Sequence, residues 1–474
     1  MTHTVIDYFE KICAIPHGSG NTKKLAEYCC MIAEKNGLFC RMDESGNVVV
    51  KIPSSPGRED APTVIIQGHL DMVCAKMPEC NIDFEKESIK LVKSGDFISA
   101  EGTTLGADDG IAVAYALALM EDKSLVHPPI EIVLTTDEEV GMTGAENLDV
   151  SDLNGKMLIN IDSDSEGVFT VSCAGGINVH AVFEPKKEMC SGSLCKIKAD
   201  GFKGGHSGTE INTGVLNANK VMGSVLNALI GNMNIHLVSI CGGDKSNAIA
   251  AYSEAEFVLA DGMEAEAESL IAECFSKIKS KAAKDPLINI SVCFKPGFHD
   301  NAMCIDDSRR IIEYINGVPD GVIAMDGYID GLVKTSLNLG TVRSGADKTE
   351  MTHSLRSSSN GDLKKLEDKI KEIAQNAGSK VFSEGAHPAW EYGGSSRLAD
   401  IMSGVFYEKY GRKLVVSAIH AGLECAVFAD KIKGLDAVSI GPDMHDIHTV
   451  NERVSVSSVN RVWDFLKDVL AEIK

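Results

Sequence analysis

Five short stretches carry side chains able to bind metals or move protons. They are Gly68-His69-Leu70-Asp71, Gly106-Ala107-Asp108-Asp109-Gly110, Thr136-Asp137-Glu138-Glu139, Ile161-Asp162 and, far downstream, His445-Asp446-Ile447-His448. Three of the first four directly follow an apolar run of strand length. Imidazole nitrogens and carboxylate oxygens gathered at strand ends are the ligands that a hydrolytic metal site uses. The mixture of hard carboxylates with imidazole, and no thiolate, favours zinc, manganese or cobalt.

Each stretch also has a plainer reading. A lone histidine is more often structural than ligating. His69 and Asp71 are two apart in an extended segment and point the same way, so Asp71 could accept the second imidazole N–H and orient the ring. Asp108 and Asp109 stand where a helix begins, where aspartate is a preferred N-cap; such a carboxylate could equally bridge two cations. Asp137-Glu138-Glu139 alone would pass for a solvated acidic turn. Adjacent side chains usually diverge, which suggests one glutamate as ligand and the other as proton shuttle beside a metal-bound water. Asp162 could be a turn residue. His445 and His448 are both open as candidates. The joint occurrence at several strand ends of one sheet is much harder to explain by chance than any single stretch.

The elements that must position these residues alternate. Helices are expected over 22–36 (closed by Gly37) and 111–120, and strands over 47–52, 63–67, 130–135 and 157–161. This alternation implies an α/β layer with a mainly parallel catalytic sheet flanked by helices, whose ligands lie beyond the carboxyl ends of the strands. Past Gly175-Gly176 the character changes. Strands expected over 194–199, 251–259 and 287–294 are separated by longer helices over 213–229, 263–282 and 363–377, which suggests an inserted α+β lid domain. Helix–strand alternation then returns over 396–410, 413–419, 422–428, 437–440 and 456–473. The expected division is a catalytic domain from residues 1–185 and 386–474, interrupted by a lid at 186–385, which brings His448 back to the N-terminal motifs. There is no convincing internal repeat.

Composition narrows the class. The 474 residues exceed one ordinary core, and 44% hydrophobic content fits a globular chain. A net charge of −22 opposes binding to nucleic acid or anionic lipid. No apolar run reaches the roughly 20 residues of a membrane span. Met1 to Glu10 reads as the start of an amphipathic helix, not a signal peptide. The 14 cysteines form no CxxC pair, which argues for free thiols in a reducing cytoplasm.

Taken in order, GHLD, GADDG, TTDEE, NID and a late His448-x-x-x-Glu452 resemble the M20 family of two-zinc metallopeptidases. Gly204-Gly205-His206-Ser207-Gly208 and His420-Ala421-Gly422-Leu423-Glu424-Cys425 are similar to its aminoacyl-histidine (Xaa-His) dipeptidase subgroup. The resemblance covers nearly the whole chain and implies a two-domain zinc exopeptidase fold. It implies that His69 and Asp162 bind one zinc, Glu139 and His448 the other, and that Asp108 bridges both. It further implies that Asp71 orients His69, that Glu138 is the general base, and that His206 of the inserted domain donates to the oxyanion. Arg356 matches an arginine that grips the substrate carboxylate, with Asn247 and Glu424 as further substrate-binding positions. His448 is preferred to His445 because it heads His448-Thr449-Val450-Asn451-Glu452, although the family commonly has proline where Val450 stands. Many relatives carry Asp-Asp-Lys-Gly or Asp-Asn-Gly in place of Asp108-Asp109-Gly110, so the second aspartate adds charge near the metals.

The expected activity is that of a cytoplasmic two-zinc dipeptidase acting on small unblocked peptides, including Xaa-His. Manganese or cobalt are alternatives to zinc. The lid would close over substrate and form a homodimer interface. A tripeptidase or an N-acyl amino acid amidohydrolase on the same fold is the alternative, and a non-catalytic metal-binding protein is the alternative of another class.

Overall fold

The computed structural model describes residues 4–327 and 331–474. The chain divides into two compact units. One comprises Met1–Cys173, Tyr392–Ala418 and Leu423–Lys474; the other comprises Ala174–Glu391 with Ile419–Gly422.

The first unit is built on an eight-stranded sheet. Its order is Phe39–Met42, Val48–Ile52, Ile130–Thr135, Val64–His69, Met157–Asn160, Asp436–Ser439, Val168–Cys173 and Val415–Ile419. The four strands from Ile130–Thr135 to Asp436–Ser439 run parallel to one another. The sheet is antiparallel towards its edges. Parallelism is confined to the centre because Phe39–Met42 and Val48–Ile52 are joined by a short turn, and a short turn can only make an antiparallel hairpin. The central strands are apolar on both faces, as strands covered by helices on both sides must be. Helix Ala107–Glu121, buried on every side, packs on Val64–His69.

The N-terminal amphipathic reading falls partly on Met1, Thr2 and His3, which lie outside the described residues. The helix runs Val5–Cys13, started by a capping box in which Thr4 and Asp7 exchange side-chain-to-backbone hydrogen bonds. A hairpin that the sequence reading did not foresee, Leu91–Ser94 with Phe97–Ala100, joins Arg453–Ser455 and Met444–His445 in a four-stranded sheet. The loop bearing His448 connects the last two of these strands. Chain from both ends of the sequence is thereby hydrogen-bonded into one small sheet beside the catalytic motifs.

The second unit holds a nine-stranded antiparallel sheet. It is faced by helices Ala218–Ile230, Glu264–Lys279, Ile305–Gly317 and Asn360–Asn376 over its own apolar core. The helix expected from 213 begins only at Ala218, after an N-cap in which Asn217 accepts from the Asn219 N–H. No helix among the described residues is long and apolar enough to cross a membrane.

Candidate metal centre

Three neighbouring parallel strands deliver the site. His69 ends Val64–His69, Asp162 follows Met157–Asn160, and the turn with Glu138 and Glu139 follows Ile130–Thr135. Gly68 permits close approach there. A Cβ at that position would stand 2.5 Å from Asp109 Oδ2 and 2.4 Å from Ala112 Cβ, and Asp109 Oδ2 accepts the His69 backbone N–H at 3.0 Å.

Asp108 lies at the centre of the arrangement. Its Oδ1 is 3.2 Å from His69 Nε2, and its Oδ2 is 3.0 Å from His448 Nε2. Asp162 Oδ1 flanks His69 Nε2 at 3.8 Å, and Glu139 Oε1 flanks His448 Nε2 at 2.9 Å. Among the described residues, the donor atoms of Asp108, Glu139 and His448 lie within 4.8 Å of one another, as do those of His69, Asp109 and Asp162, and of His69, Glu138 and Glu139. Five buried or inward-turned carboxyl groups thus surround two imidazoles, and Asp162 Oδ2 is buried with no hydrogen-bond partner. That excess of oxygen donors fits a pair of divalent cations and is costly without them.

Several plainer readings fail on this geometry. Asp108 and Asp109 have non-helical backbone angles, and neither caps the helix; its N-cap position is Gly106, with no side-chain cap bond. The acidic turn is only partly solvated, with Asp137, Glu138 and Glu139 all half-buried. Glu138 and Glu139 do not diverge as residues of an extended strand would, because past Thr135 the chain turns, with Asp137 at φ 56°. Both glutamate N–H groups are tied to Asp71, at 3.0 and 3.3 Å. Asp71 differs in detail from expectation: His69 Nδ1 faces the main-chain oxygen of Asp71 at 2.9 Å, while its carboxylate stands 3.5 Å away. Of the two late histidines, His445 packs its ring against Phe97 at 5.8 Å, and His448 faces the carboxylates.

The electrostatics follow from this crowding. Burial acts to lower the His69 pKa, but the carboxylates of Asp108, Asp162 and Asp71 overcome it and raise it well above the ordinary value. Asp108 and Glu139 push His448 up to about 11. Burial raises Asp162 to about 6 and lifts Glu138 well above the usual carboxylate range, with Asp162, Glu139 and Glu424 adding to the Glu138 shift. A carboxyl group with a raised pKa is suited to taking up and returning a proton near neutrality.

Two contributors escaped the sequence reading. Glu452 is buried, and its carboxylate accepts from the backbone N–H groups of Leu105, Gly106, Ala107 and Asp108 at 2.7, 3.1, 2.8 and 3.4 Å. It supplies the anion at the helix start that the two aspartates do not, and so fixes the Asp108 loop to the His448 loop. The spacing His448-x-x-x-Glu452 was the available signal. Ser19 donates to Asp71 Oδ2 at 2.7 Å, and the Gly20 N–H donates to Asp137 at 2.6 Å. Nothing in Gly18-Ser19-Gly20 marks it out beyond a turn.

In the second unit, His206 lies in a two-residue strand paired with Ala248–Ile249. Its Nδ1 accepts from the backbone N–H groups of Gly208 and Thr209 at 3.3 and 3.1 Å, so the ring proton resides on Nε2. Arg356 sits in strand Thr349–Ser357, in register with Ser336 on one side and Gly176 on the other. His387 is opposite Gly176 on the next strand. Burial and the neighbouring Arg356 lower both His387 and His420 to about 4. Asn247 uses its main-chain oxygen to accept from the Ser207 N–H at 2.9 Å. Glu424, expected as a substrate-binding position, belongs to the first unit and is fully buried there.

Clustered carboxylates and imidazoles at the carboxyl ends of a parallel sheet define a hydrolase of the metal-site class. Residues 65–472 match the peptidase family M20/M25/M40. The chain is 34% identical over 470 residues to the cytosol non-specific dipeptidase of Escherichia coli (strain K12), covering 98% of this chain and 97% of that protein. The crystal structure of aminoacylhistidine dipeptidase from Vibrio alginolyticus superposes with a TM-score of 0.87 at 33% identity, over 99% of this chain and 96% of that one. Aminopeptidase PepT from Bacillus cereus ATCC 10987 shares the fold, with a TM-score of 0.58 at 15% identity over 99% and 98% of the two chains. The chain belongs to peptidase family M20 and is a hydrolase acting on peptide bonds.

Proposed function

We propose that the protein is a two-zinc dipeptidase of the cytoplasm that hydrolyses small unblocked dipeptides, Xaa-His among them. The observation that carries the metal assignment is the divided carboxylate of Asp108, with one oxygen on His69 and the other on His448. His69 and Asp162 would hold one ion, His448 and Glu139 the other, and Asp108 both. Two such ions supply Lewis-acid polarisation of the scissile carbonyl and a water acidic enough to attack at neutral pH.

The chain's own groups do the rest. Glu138 takes the proton of the attacking water on its carboxylate and returns it to the leaving amine nitrogen. Asp71 holds the His69 ring through its main-chain oxygen and the Glu138–Glu139 turn through its carboxylate. His206, with its proton on Nε2, is assigned the hydrogen bond to the oxyanion. Arg356 is assigned the substrate's terminal carboxylate, which its planar fork matches bidentately. The dipeptide preference rests on likeness to the two dipeptidases above.

The test is a zinc-loaded activity screen over dipeptides, tripeptides and N-acyl amino acids. Turnover confined to dipeptides and abolished in Glu138→Ala, with zinc content still near two per chain, is the expected result. Preferential turnover of tripeptides or acylated amino acids overturns the substrate class, and full activity in Glu138→Ala overturns the base.

A further inference from the structure

Beneath the ligands lies a second buried layer. Gln67 precedes His69 by two residues, Asn160 precedes Asp162 by two, and Thr135 precedes Glu138 by three. All three are polar residues at or near the carboxyl ends of their strands, and all are almost entirely buried. They are linked through one carboxyl group. The Thr135 hydroxyl donates to Glu424 Oε2 at 2.6 Å, and Gln67 Nε2 donates to the same oxygen. Asn160 Nδ2 then donates to Gln67 Oε1 at 2.7 Å. Glu424 is the first residue of helix Glu424–Lys431 and is 0% exposed. Its other oxygen, Oε1, is buried without a hydrogen-bond partner.

We infer that Glu424 is a positioning residue whose carboxyl group fastens together the carboxyl ends of the three strands that present His69, Glu138 and Asp162. The inference rests on the two-metal reading above and deepens it. The side chain is connected to every strand that carries a ligand from this part of the sheet, and to none through a ligand itself. A strand end is where register is least constrained, because the ladder hydrogen bonds stop there; among these three, the pairing of Val64–His69 with Met157–Asn160 ends at Gln67 and Asn160. One acceptor shared by two of the strand ends, with the third joined through Gln67, adds a side-chain link to the last backbone bonds there, from the Ile161 N–H to the Gln67 oxygen and from the Leu70 N–H to the Thr135 oxygen. A buried carboxyl group with one unpaired oxygen is a poor stabiliser of a fold, so its effect is read in what it holds. Outer groups that orient metal ligands alter metal affinity typically by about 10–100-fold when removed.

The experiment uses the full chain, stripped of metal, and titrates zinc against a chromophoric chelator. It compares the parent with Glu424→Leu, Glu424→Gln and Thr135→Val, then measures kcat and KM on a dipeptide for each zinc-loaded protein. Glu424→Leu is expected to weaken zinc binding on the order of 10–100-fold and to lower kcat with KM unchanged. Thr135→Val, nearly the same shape, removes one donor and should reproduce part of that loss; it decides the matter alone if the leucine variant does not fold. Glu424→Gln keeps an acceptor oxygen and should restore binding close to the parent. A rise in KM with unaltered zinc affinity would make Glu424 a substrate residue and overturn the inference. So would parent-like affinity and kcat with only a lower thermal midpoint. Failure of the parent itself to take up zinc overturns the two-metal reading instead.

Discussion

Histidines in the two units have opposite electrostatic fates. His69 and His448 face carboxylates, which drive both towards the protonated form; His448 reaches about 11. Burial first, and Arg356 beside them second, keep His387 and His420 neutral, at about 4. The same side chain is therefore cationic or neutral according to its neighbours. The first unit carries a surplus of buried negative charge that cations would satisfy. In the second, a guanidinium stands beside two imidazoles held neutral.

The sharpest way to break the contrast is to remove the shared anion of the first unit. Asp108→Ala should abolish measurable turnover and leave fewer than two zinc ions per chain, read by elemental analysis. The corresponding change in the second unit should act on binding. Arg356→Lys loses the bidentate fork, and charge-assisted hydrogen bonds contribute about 1.5–3 kcal/mol each. KM for a free dipeptide should therefore rise on the order of 10–100-fold, while a C-terminally amidated dipeptide should be insensitive to the change. Equal losses on both substrates would remove Arg356 from carboxylate recognition.

The pH dependences should differ as well. His448 is protonated in the metal-free protein at every pH below about 11, and a ligating imidazole must be neutral. Zinc uptake near pH 7 should therefore release protons, and apparent affinity should rise with pH. Calorimetry in buffers of different ionisation enthalpy measures that release. In the second unit the folded pKa values of His387 and His420 lie below the usual histidine value. The unfolded chain then binds more protons between about 6.5 and 4. Stability from these two rings is complete above about 6.5 and lost as the pH falls towards 4, a loss that urea unfolding of the metal-free chain over that range should detect.

The smallest effect expected lies at the join between the two ligand loops. Glu452→Gln replaces one acceptor oxygen of four backbone N–H bonds with a donor. It should weaken zinc binding by about 10-fold without altering KM.

His69, Glu139 and Asp162 were legible as candidates because chemistry-bearing residue types followed apolar strands, and a strand end is a place that sequence can mark; Asp108 and His448 follow no such strand and were singled out by the family resemblance. The central four strands were legible for the same reason. What surrounds the ligands was not. Glu452 lies more than three hundred residues from the backbone groups it accepts from, and Ser19 lies 52 residues from Asp71; no local pattern encodes such partners. Glu424 was marked by its motif, but its bonds to Thr135 and Gln67, nearly three hundred residues or more away, were not. Gln67 and Asn160 did carry a signal, since each is a polar residue at the end of a buried apolar strand, but reading it required knowing that the strands are neighbours.

The central claim is that Asp108 bridges two metal ions. A crystal structure of the zinc-loaded protein with anomalous data at the zinc edge tests it most directly. Two anomalous peaks roughly 3.5–4 Å apart, with Asp108 Oδ1 on the ion beside His69 and Oδ2 on the ion beside His448, is the predicted result. A single peak, or two peaks that Asp108 does not join, would contradict it.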